Sequence, residues 1–473
     1  MSPIDPRLPG SPPFSLLTHL AGDEEQAALF SAGSCIDGWL ATERALALAQ
    51  ARHGVISASD AAAIVAAAHP EAIDADALWA TARNVGYPIL GLVRQVAAAL
   101  PDGPNGRVHY GATTQDIMDT GLALQLSRSL AALDRRLARL GDALAARAEE
   151  HAATVMAGRT HGQQAVPTTF GATLGTLLAQ LARHRERLAQ AHPRIAVVSL
   201  FGAAGTAAAL GPKSAQVRAE MADILGLRPA DVPWHVDRDG VAEFGWLCAT
   251  ITAACAKFAR NIADLSRTEI GEVSEPYSAH RGASSTMPQK VNPISSEVII
   301  GLSGTAGALA SSLARLQEAG HERAAGEWQI EWQVVPQLAV LAGSALAEAA
   351  VVAEGMRVDT ARMRANLGLD GGLVMAEAQM IQLAAALGRE DAHDLVYEAA
   401  VRARRDGTGL AGALRTVAAE QGRAELLPEP LVGPDDYLGE AAAVARNAVK
   451  AWEAAPALPA AAGGAPRIAE LAS

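Results

Sequence analysis

Several long stretches of this chain run without proline, and alanine and leucine alternate in them with charged residues. Four stand out: Ile117 to Ala152, Phe170 to Ala191, Gly240 to Glu272, and Pro293 to Ala319. Alanine has the highest helix propensity, and small side chains let helices approach closely. Each run is longer than the globular mean of about 11–12 residues. Helices of that length bury their apolar faces against other helices, from the same chain or from other copies. The expected class is all-α, a long-helix bundle with smaller helical N- and C-terminal domains. No fixed-period repeat is present, which argues against a solenoid.

With 473 residues the chain is long enough for more than one domain. Ile36 to Gln50 reads as an amphipathic helix ending near Gly54, and Ser57-Ala58-Ser59-Asp60 opens another. The Pro101-Asp102-Gly103-Pro104-Asn105-Gly106 break suggests a boundary. We expect an N-terminal helical domain over 1–110, a central bundle over 111–355 and a C-terminal helical domain over 356–473. The Pro/Gly-rich opening is expected to be coil, and the segment ALPAAAGGAPRIAELAS to fray at its end.

Hydrophobic residues make up 50% of the chain, much of it alanine, and aromatics only 4%. The net charge of -12 argues against general nucleic-acid binding, which needs a basic surface. It leaves room for an anionic substrate held by a few local cations. Cys35, Cys248 and Cys255 form no CxxC pair. They suggest a reducing compartment and no metal site, with Cys248 and Cys255 in the core. The N-terminus has no basic region followed by a long apolar one, and charges interrupt the apolar stretches. Neither a signal peptide nor a membrane span is expected, and the expected location is cytoplasmic.

Three polar segments lie at the ends of the long runs: Val108 to Asp116, Gly158 to Gln164, and Arg281 to Glu297. The third, RGASSTMPQKVNPISSE, has a glycine and two prolines that break helix, so it reads as a loop, with Pro293 suited to the next helix's first turn. A polar loop can close over a substrate and exclude water. This one offers two hydroxyls, the Lys290 cation and the Asn292 amide, an inventory that binds a carboxylate and stabilises charge developing on it.

Ser284-Ser285-Thr286-Met287-Pro288-Gln289-Lys290-Val291-Asn292-Pro293 resembles the SSxMPxKxNP signature of the fumarase/aspartase superfamily at seven fixed positions. Thr113-Thr114-Gln115-Asp116 and Gly158-Arg159-Thr160-His161-Gly162-Gln163 resemble its first and second conserved regions, in family order. The resemblance covers roughly Ile36 to Leu383. It is strongest to the adenylosuccinate lyase and 3-carboxy-cis,cis-muconate cycloisomerase subgroup, through Pro233-Trp234-His235 to Glu243 and Thr268-Glu269-Ile270-Gly271-Glu272-Val273.

The resemblance implies a homotetramer with a central helical core and sites shared between subunits. It implies removal of a proton beside a carboxylate, through an aci-carboxylate that donors and a cation must meet. By the same resemblance Ser284 is the base, made acidic enough by loop amides and Lys290. Lys290 and Asn292 grip the carboxylate that gains charge. Thr113, Thr114 and Thr160 bind carboxylate oxygens, and Ser285 braces the loop. His161 is an acid or an anion-binding partner, paired with Glu297. Neither a metal nor an organic cofactor is implied, and the partner is a small dicarboxylate. His109, His235, Arg238 and Glu243 are further candidates for the lining. Trp328 and Trp332 suit the core or an interface.

Two departures narrow the reading. Ala283 stands where many members have glycine, which raises the question of strain at positive φ. Asn84-Val85-Gly86-Tyr87-Pro88-Ile89-Leu90 lacks the histidine–aspartate pair of adenylosuccinate lyases, which favours a substrate smaller than a nucleotide. Cycloisomerases have a similarly apolar stretch but often lack the Thr-His kept here. The expectation is therefore β-elimination from a small amino- or nitro-succinate, breaking a C–N bond and releasing fumarate. The alternatives are a carboxymuconate-type cycloisomerase and a non-catalytic homologue that keeps the fold.

Overall fold

The computed structural model describes residues 20–101, 107–459 and 462–468. The coil expected at the N-terminus, most of the break after Pro101 and the last residues of the chain lie outside them.

The helices, in order, are α1 (Glu24–Leu29), α2 (Ala32–Arg52), α3 (Ala58–Ala67), α4 (Ala75–Val85), α5 (Ile89–Ala98), α6 (Thr114–Glu150), α7 (Phe170–Ile195), α8 (Ser214–Leu225) and α9 (Asp239–Leu265). There follow α10 (Ile294–Leu313), α11 (Trp328–Gly355), α12 (Thr360–Asn366), α13 (Ala376–Leu387), α14 (Arg389–Asp406), α15 (Leu410–Glu420) and α16 (Ala441–Glu453). Local chemistry sets many of the starts. The Ser57 hydroxyl accepts from the Asp60 N–H ahead of α3, and Thr169 accepts from the Ala172 N–H ahead of α7.

The four long runs become α6, α7, α9 and α10. The third ends sooner than expected, at Leu265, and the fourth finishes as a 3-10 turn over Ala314–Glu318. A further long helix, α11, was not legible, because Pro336 interrupts its pattern and the helix carries the proline within it. Helices α6, α7, α9, α10 and α11 pack on one another as the body of the molecule. On α6, Leu126, Leu130, Leu133, Leu137, Leu140 and Leu144 recur every three or four residues and are all buried, as one apolar face requires. Cys248 and Cys255 are buried in the same core. A second core joins α2–α5, the start of α6, and residues 196–227; a third lies among α13–α15. Helix α2 crosses α6 where Gly38 faces Gly121: a Cβ on Gly121 would lie 2.8 Å from the Trp39 ring.

Two short β elements interrupt the helices. Strands β1 (Val155–Thr160) and β2 (Gln163–Thr169) form an antiparallel hairpin between α6 and α7, with a bulge between Ala157 and Arg159. Strands β3 (Val273–Ser274) and β4 (Arg357–Val358) pair beside it. Residues 462–468 are docked: Ile468 is buried, and the Arg467 N–H donates to the Ile224 carbonyl at 2.9 Å; the end expected to fray lies outside the described residues.

Three helices, Asp239–Leu265, Ile294–Glu318 and Trp328–Gly355, are long and apolar enough to cross a membrane by length and composition alone, because an 18-residue window in each holds no more than two charged residues. In the first and third, 61% of that window is buried inside the chain; in the second only 17% is.

Candidate active site

The bundle has two ends, and the candidate residues are divided between them. Thr113 is the N-cap of α6, and its N–H donates to the Asp116 carboxylate at 3.0 Å. Thr114 follows, half-buried. Asp116 is fully buried and also accepts from His235 at 2.8 Å and from the N–H groups of Phe201 and Gly202, both at 2.9 Å. Burial alone would raise its pKa, but the His235 hydrogen bond and these N–H groups outweigh it and hold the carboxyl below its ordinary value. The Gln115 amide donates to the His235 carbonyl at 2.8 Å and accepts from Arg323 at 2.9 Å.

Beneath this surface Arg238 is buried between Asp119, at 2.9 Å, and Glu331, at 2.6 Å. Two carboxylates share one guanidinium, so burial pushes Asp119 up to about 7 despite Arg238, with Glu331 adding to the rise. These bonds bring the starts of α6, α9 and α11 together. Tyr87 stacks on Trp328 with ring centroids 5.5 Å apart and meets Trp332 edge-on at 6.2 Å, so an aromatic cluster stands at the start of α11.

The other end holds the second and third polar segments. Thr160 closes β1, and His161 occupies the hairpin turn with φ 52°, exposed. The hairpin is fixed from behind. Arg159 makes a bidentate pair with the buried Glu272 carboxylate, at 3.0 and 2.6 Å. Asn366 donates to the same carboxylate at 2.7 Å, and Gln164 donates to the Asn366 carbonyl at 2.8 Å.

The third segment is a loop, as expected. Its neck is closed by the Asn292 N–H donating to the Gly282 carbonyl at 2.8 Å, with Ala283 bridged to Val291. The positive φ falls on Gly282, at 68°, and not on Ala283, so the alanine carries no strain. The Ser284 oxygen accepts from the N–H groups of Thr286 at 3.3 Å and Met287 at 3.1 Å. Ser285 and Lys290 are exposed, and Asn292 is half-buried. Glu297 lies in the first turn of α10, also exposed. Among the described residues, no hydrogen bond or ion pair joins His161 to Glu297.

The chain therefore brings Thr160 and His161 to the same end as Ser284, Ser285, Lys290, Asn292 and Glu297, and leaves Thr113 and Thr114 at the other. Helix α6 separates them: its 37 residues at a rise of about 1.5 Å span roughly 55 Å. The less certain candidates also divide. His235 and Arg238 lie buried behind the threonines. His109 pairs with Glu43 at 2.6 Å. Glu243 faces away, paired with Arg194 at 2.5 Å. Sequence reading missed Arg323, which no signature marks and which only the fold sets beside Gln115. Among the described residues no group of three or more His, Cys, Asp or Glu could hold a metal ion. A shallow open groove of about 450 Å³ between Thr173, Thr176 and Val444 lies on the α7–α16 face, away from these residues.

Residues 23–307 match the lyase family and residues 372–448 the adenylosuccinate lyase C-terminus. The chain belongs to the fumarase/aspartase superfamily. Among relatives, 3-carboxy-cis,cis-muconate cycloisomerase of Pseudomonas aeruginosa is 45% identical, covering 89% of this chain and 93% of its own. The crystal structure of 3-carboxy-cis,cis-muconate lactonizing enzyme from Pseudomonas putida superposes with a TM-score of 0.84 at 39% identity, covering 93% of this chain and 99% of that one. Nitrosuccinate lyase of Streptomyces davaonensis is 40% identical, over 91% of this chain and 93% of its own.

The first two likenesses overturn the expectation of C–N cleavage with fumarate release, since both the 45% match and the superposed structure are ring-closing enzymes. The physical reason lies in the two features that carried it. Tyr87 packs against Trp328, so the lack of a histidine there reports an apolar, aromatic wall and not a leaving group. Thr160 and His161 form an exposed turn that can meet any carboxylate, whatever bond is broken.

Proposed function

We propose that the chain catalyses the ring closure of a carboxylated cis,cis-muconate to a lactone. The observation that carries this is 45% identity to a cycloisomerase over nearly the full length of both proteins. In such a reaction a carboxylate oxygen forms a bond to the carbon β to a second carboxylate. The double-bond electrons move onto that second carboxylate as an aci-carboxylate, and the α carbon then takes a proton. As free acids product and substrate are isomers; as ions, closing the ring turns one carboxylate into an ester and takes up one proton, which solvent supplies.

Ser284 gives that proton in the closing direction and removes it in the opening one. The alkoxide left behind faces the N–H groups of Thr286 and Met287, and regains its proton from water. Lys290 and Asn292 grip the aci-carboxylate. Thr113, Thr114 and Thr160 hold the remaining carboxylates, and Ser285 braces the loop. The bond made and broken at the β carbon is to a carboxylate, a weak base whose departure needs no acid. His161 accordingly binds anion, and a pairing with Glu297 is one that the single chain does not form. Because α6 holds the threonines far from Ser284, the complete site is assembled from more than one chain, in a homotetramer whose centre includes the uncovered α10. We place this enzyme in the cytoplasm.

The test is to incubate the purified protein with 3-carboxy-cis,cis-muconate and follow loss of diene absorbance and appearance of the lactone by NMR. Nitrosuccinate and adenylosuccinate are run in parallel and assayed for fumarate. Lactone formation with kcat/KM of about 10⁴–10⁸ M⁻¹s⁻¹ is expected. Fumarate release without lactone formation would overturn the reading.

A further inference from the structure

The loop bearing Ser284 hangs from a single buried carboxylate. Glu275, 9% exposed, follows β3 directly and sits between the two ends of the loop. On the far end it accepts from the N–H of Ser295 at 3.2 Å, and from the N–H and hydroxyl of Ser296 at 2.7 and 2.8 Å. On the near end the Arg281 guanidinium approaches it at 3.3 Å. Arg281 also donates to the Ser295 hydroxyl at 2.5 Å, and that hydroxyl donates to Glu348 on α11 at 2.5 Å. Both ends of the loop are thereby tied to one another and to the bundle.

Local sequence cannot supply this. The N-cap of α10 is Pro293, which has no side-chain acceptor for the helix's free N–H groups. Glu275 meets them from about twenty residues upstream, and its charge suits the positive end of the helix. The neck is narrow as well. A Cβ on Gly282 would lie 2.3 Å from the Asn292 carbonyl oxygen, so the two sides of the loop are pressed together just beyond the clamp.

We infer that Glu275 is a positioning residue for the reaction: it clamps both ends of the Gly282–Pro293 loop and so fixes where Ser284, Lys290 and Asn292 stand, without touching a reacting atom. The inference rests on the proposal that this loop carries the chemistry. A reacting group displaced by about 1 Å loses on the order of a hundredfold in rate. A loosened clamp therefore appears in kcat before it appears in stability.

Glu275→Gln keeps the size of the side chain and removes its charge, leaving an amide NH2 group among donors. In the full-length protein we expect kcat for lactone formation to fall at least about tenfold, with KM changed less than about threefold and the thermal midpoint close to that of the parent. Proteolysis within residues 283–291 should quicken. A folded Glu275→Gln protein with parental kcat overturns the inference. So does a parallel fall of kcat, KM and thermal midpoint, which is what a merely structural role would give. If Glu275→Gln does not fold, Ser296→Ala and Arg281→Lys loosen each end separately; a lower kcat in both supports the clamp, and parental kcat in either overturns it. Ser284→Ala serves as the control. If that variant remains active, it is the assignment of the loop to the chemistry that fails; if it is dead while Glu275→Gln is parental, only the clamp fails.

Discussion

A serine oxygen facing two backbone N–H groups ionises more readily than one in water, because the donors stabilise its anion in advance. Ser284 has that environment; Ser285, next to it, is exposed and makes no hydrogen bond among the described residues. Ser284→Ala should therefore lower kcat by on the order of 10²–10⁴-fold while substrate still binds, and Ser285→Ala should cost less. Steady-state kinetics on both variants, with folding checked by circular dichroism, decides it: more than about a tenth of parental activity in Ser284→Ala rules out its role as the proton-transfer group. The loop was legible to this depth because its chemistry is contiguous in sequence. The position of positive φ was not, because only the closed neck moves it from Ala283 to Gly282. A second residue-scale expectation concerns pH. His184 on α7 is buried, and neither ring nitrogen has a hydrogen-bond partner among the described residues. Burial, helped by Arg187 and Arg183, lowers its pKa from 6.5 to about 4. Between those values the unfolded chain takes up a proton that the folded chain refuses, so stability is fully present above pH 6.5 and falls as pH drops toward 4. The loss reaches up to roughly 3 kcal/mol. Urea melts from pH 7 to 4 should show a shallower decline in His184→Leu; an unchanged slope would assign the acid sensitivity to other groups.

At the scale of elements, propensity and proline spacing revealed the long helices, and what they concealed follows physical lines. Helix α11 was hidden by Pro336, which the bundle tolerates within the helix. The β1–β2 hairpin was hidden because its polar, glycine-bearing turn reads as a loop until Arg159 is seen anchored on Glu272. Docking of α16 depends on a feature no pattern shows. Trp452 lies over Gly141 of α6, buried, its indole N–H donating to Asp142 at 2.8 Å and the Arg185 guanidinium 5.4 Å from its ring. A Cβ on Gly141 would lie 2.0 Å from the ring, so Gly141→Ala has to displace it. Overpacking of this kind costs about 1–3 kcal/mol. Denaturant melts should show that loss in Gly141→Ala, and a smaller added loss when Trp452→Ala is already present, since the two residues are in contact. Equal losses in both backgrounds would mean that the cost does not come from the ring.

At the scale of the whole molecule, a sequence shows which residues share a signature but not which copy of the chain supplies each one. The three polar segments are legible from their residue types, yet the fold sets the first at the opposite end of α6 from the other two, and no reading of one chain's spacing reveals that. The apolar α10, with 17% of its window buried, leaves an exposed face, and in the assembly proposed above other copies cover it and one chain's threonines meet another chain's loop. This arrangement has a consequence that does not depend on measuring size. Thr113→Ala/Thr114→Ala removes the hydroxyls proposed to bind anion, and Ser284→Ala removes the group proposed to transfer the proton, so each protein alone should be nearly inactive. In assemblies formed by co-expressing the two, a site that takes its threonines from the serine variant and its loop from the threonine variant contains every group. With random mixing, about a quarter of sites meet that condition, and activity should return to about that fraction of parental kcat. Parental KM in the mixture is expected as well, because the restored sites are chemically complete. The measurement is kcat of the co-expressed, doubly tagged protein against each variant alone. If the mixture stays as inactive as its components while light scattering shows that the chains have mixed, threonines and serine must come from one chain, and the division of the site along α6 would need a different fold of the loop.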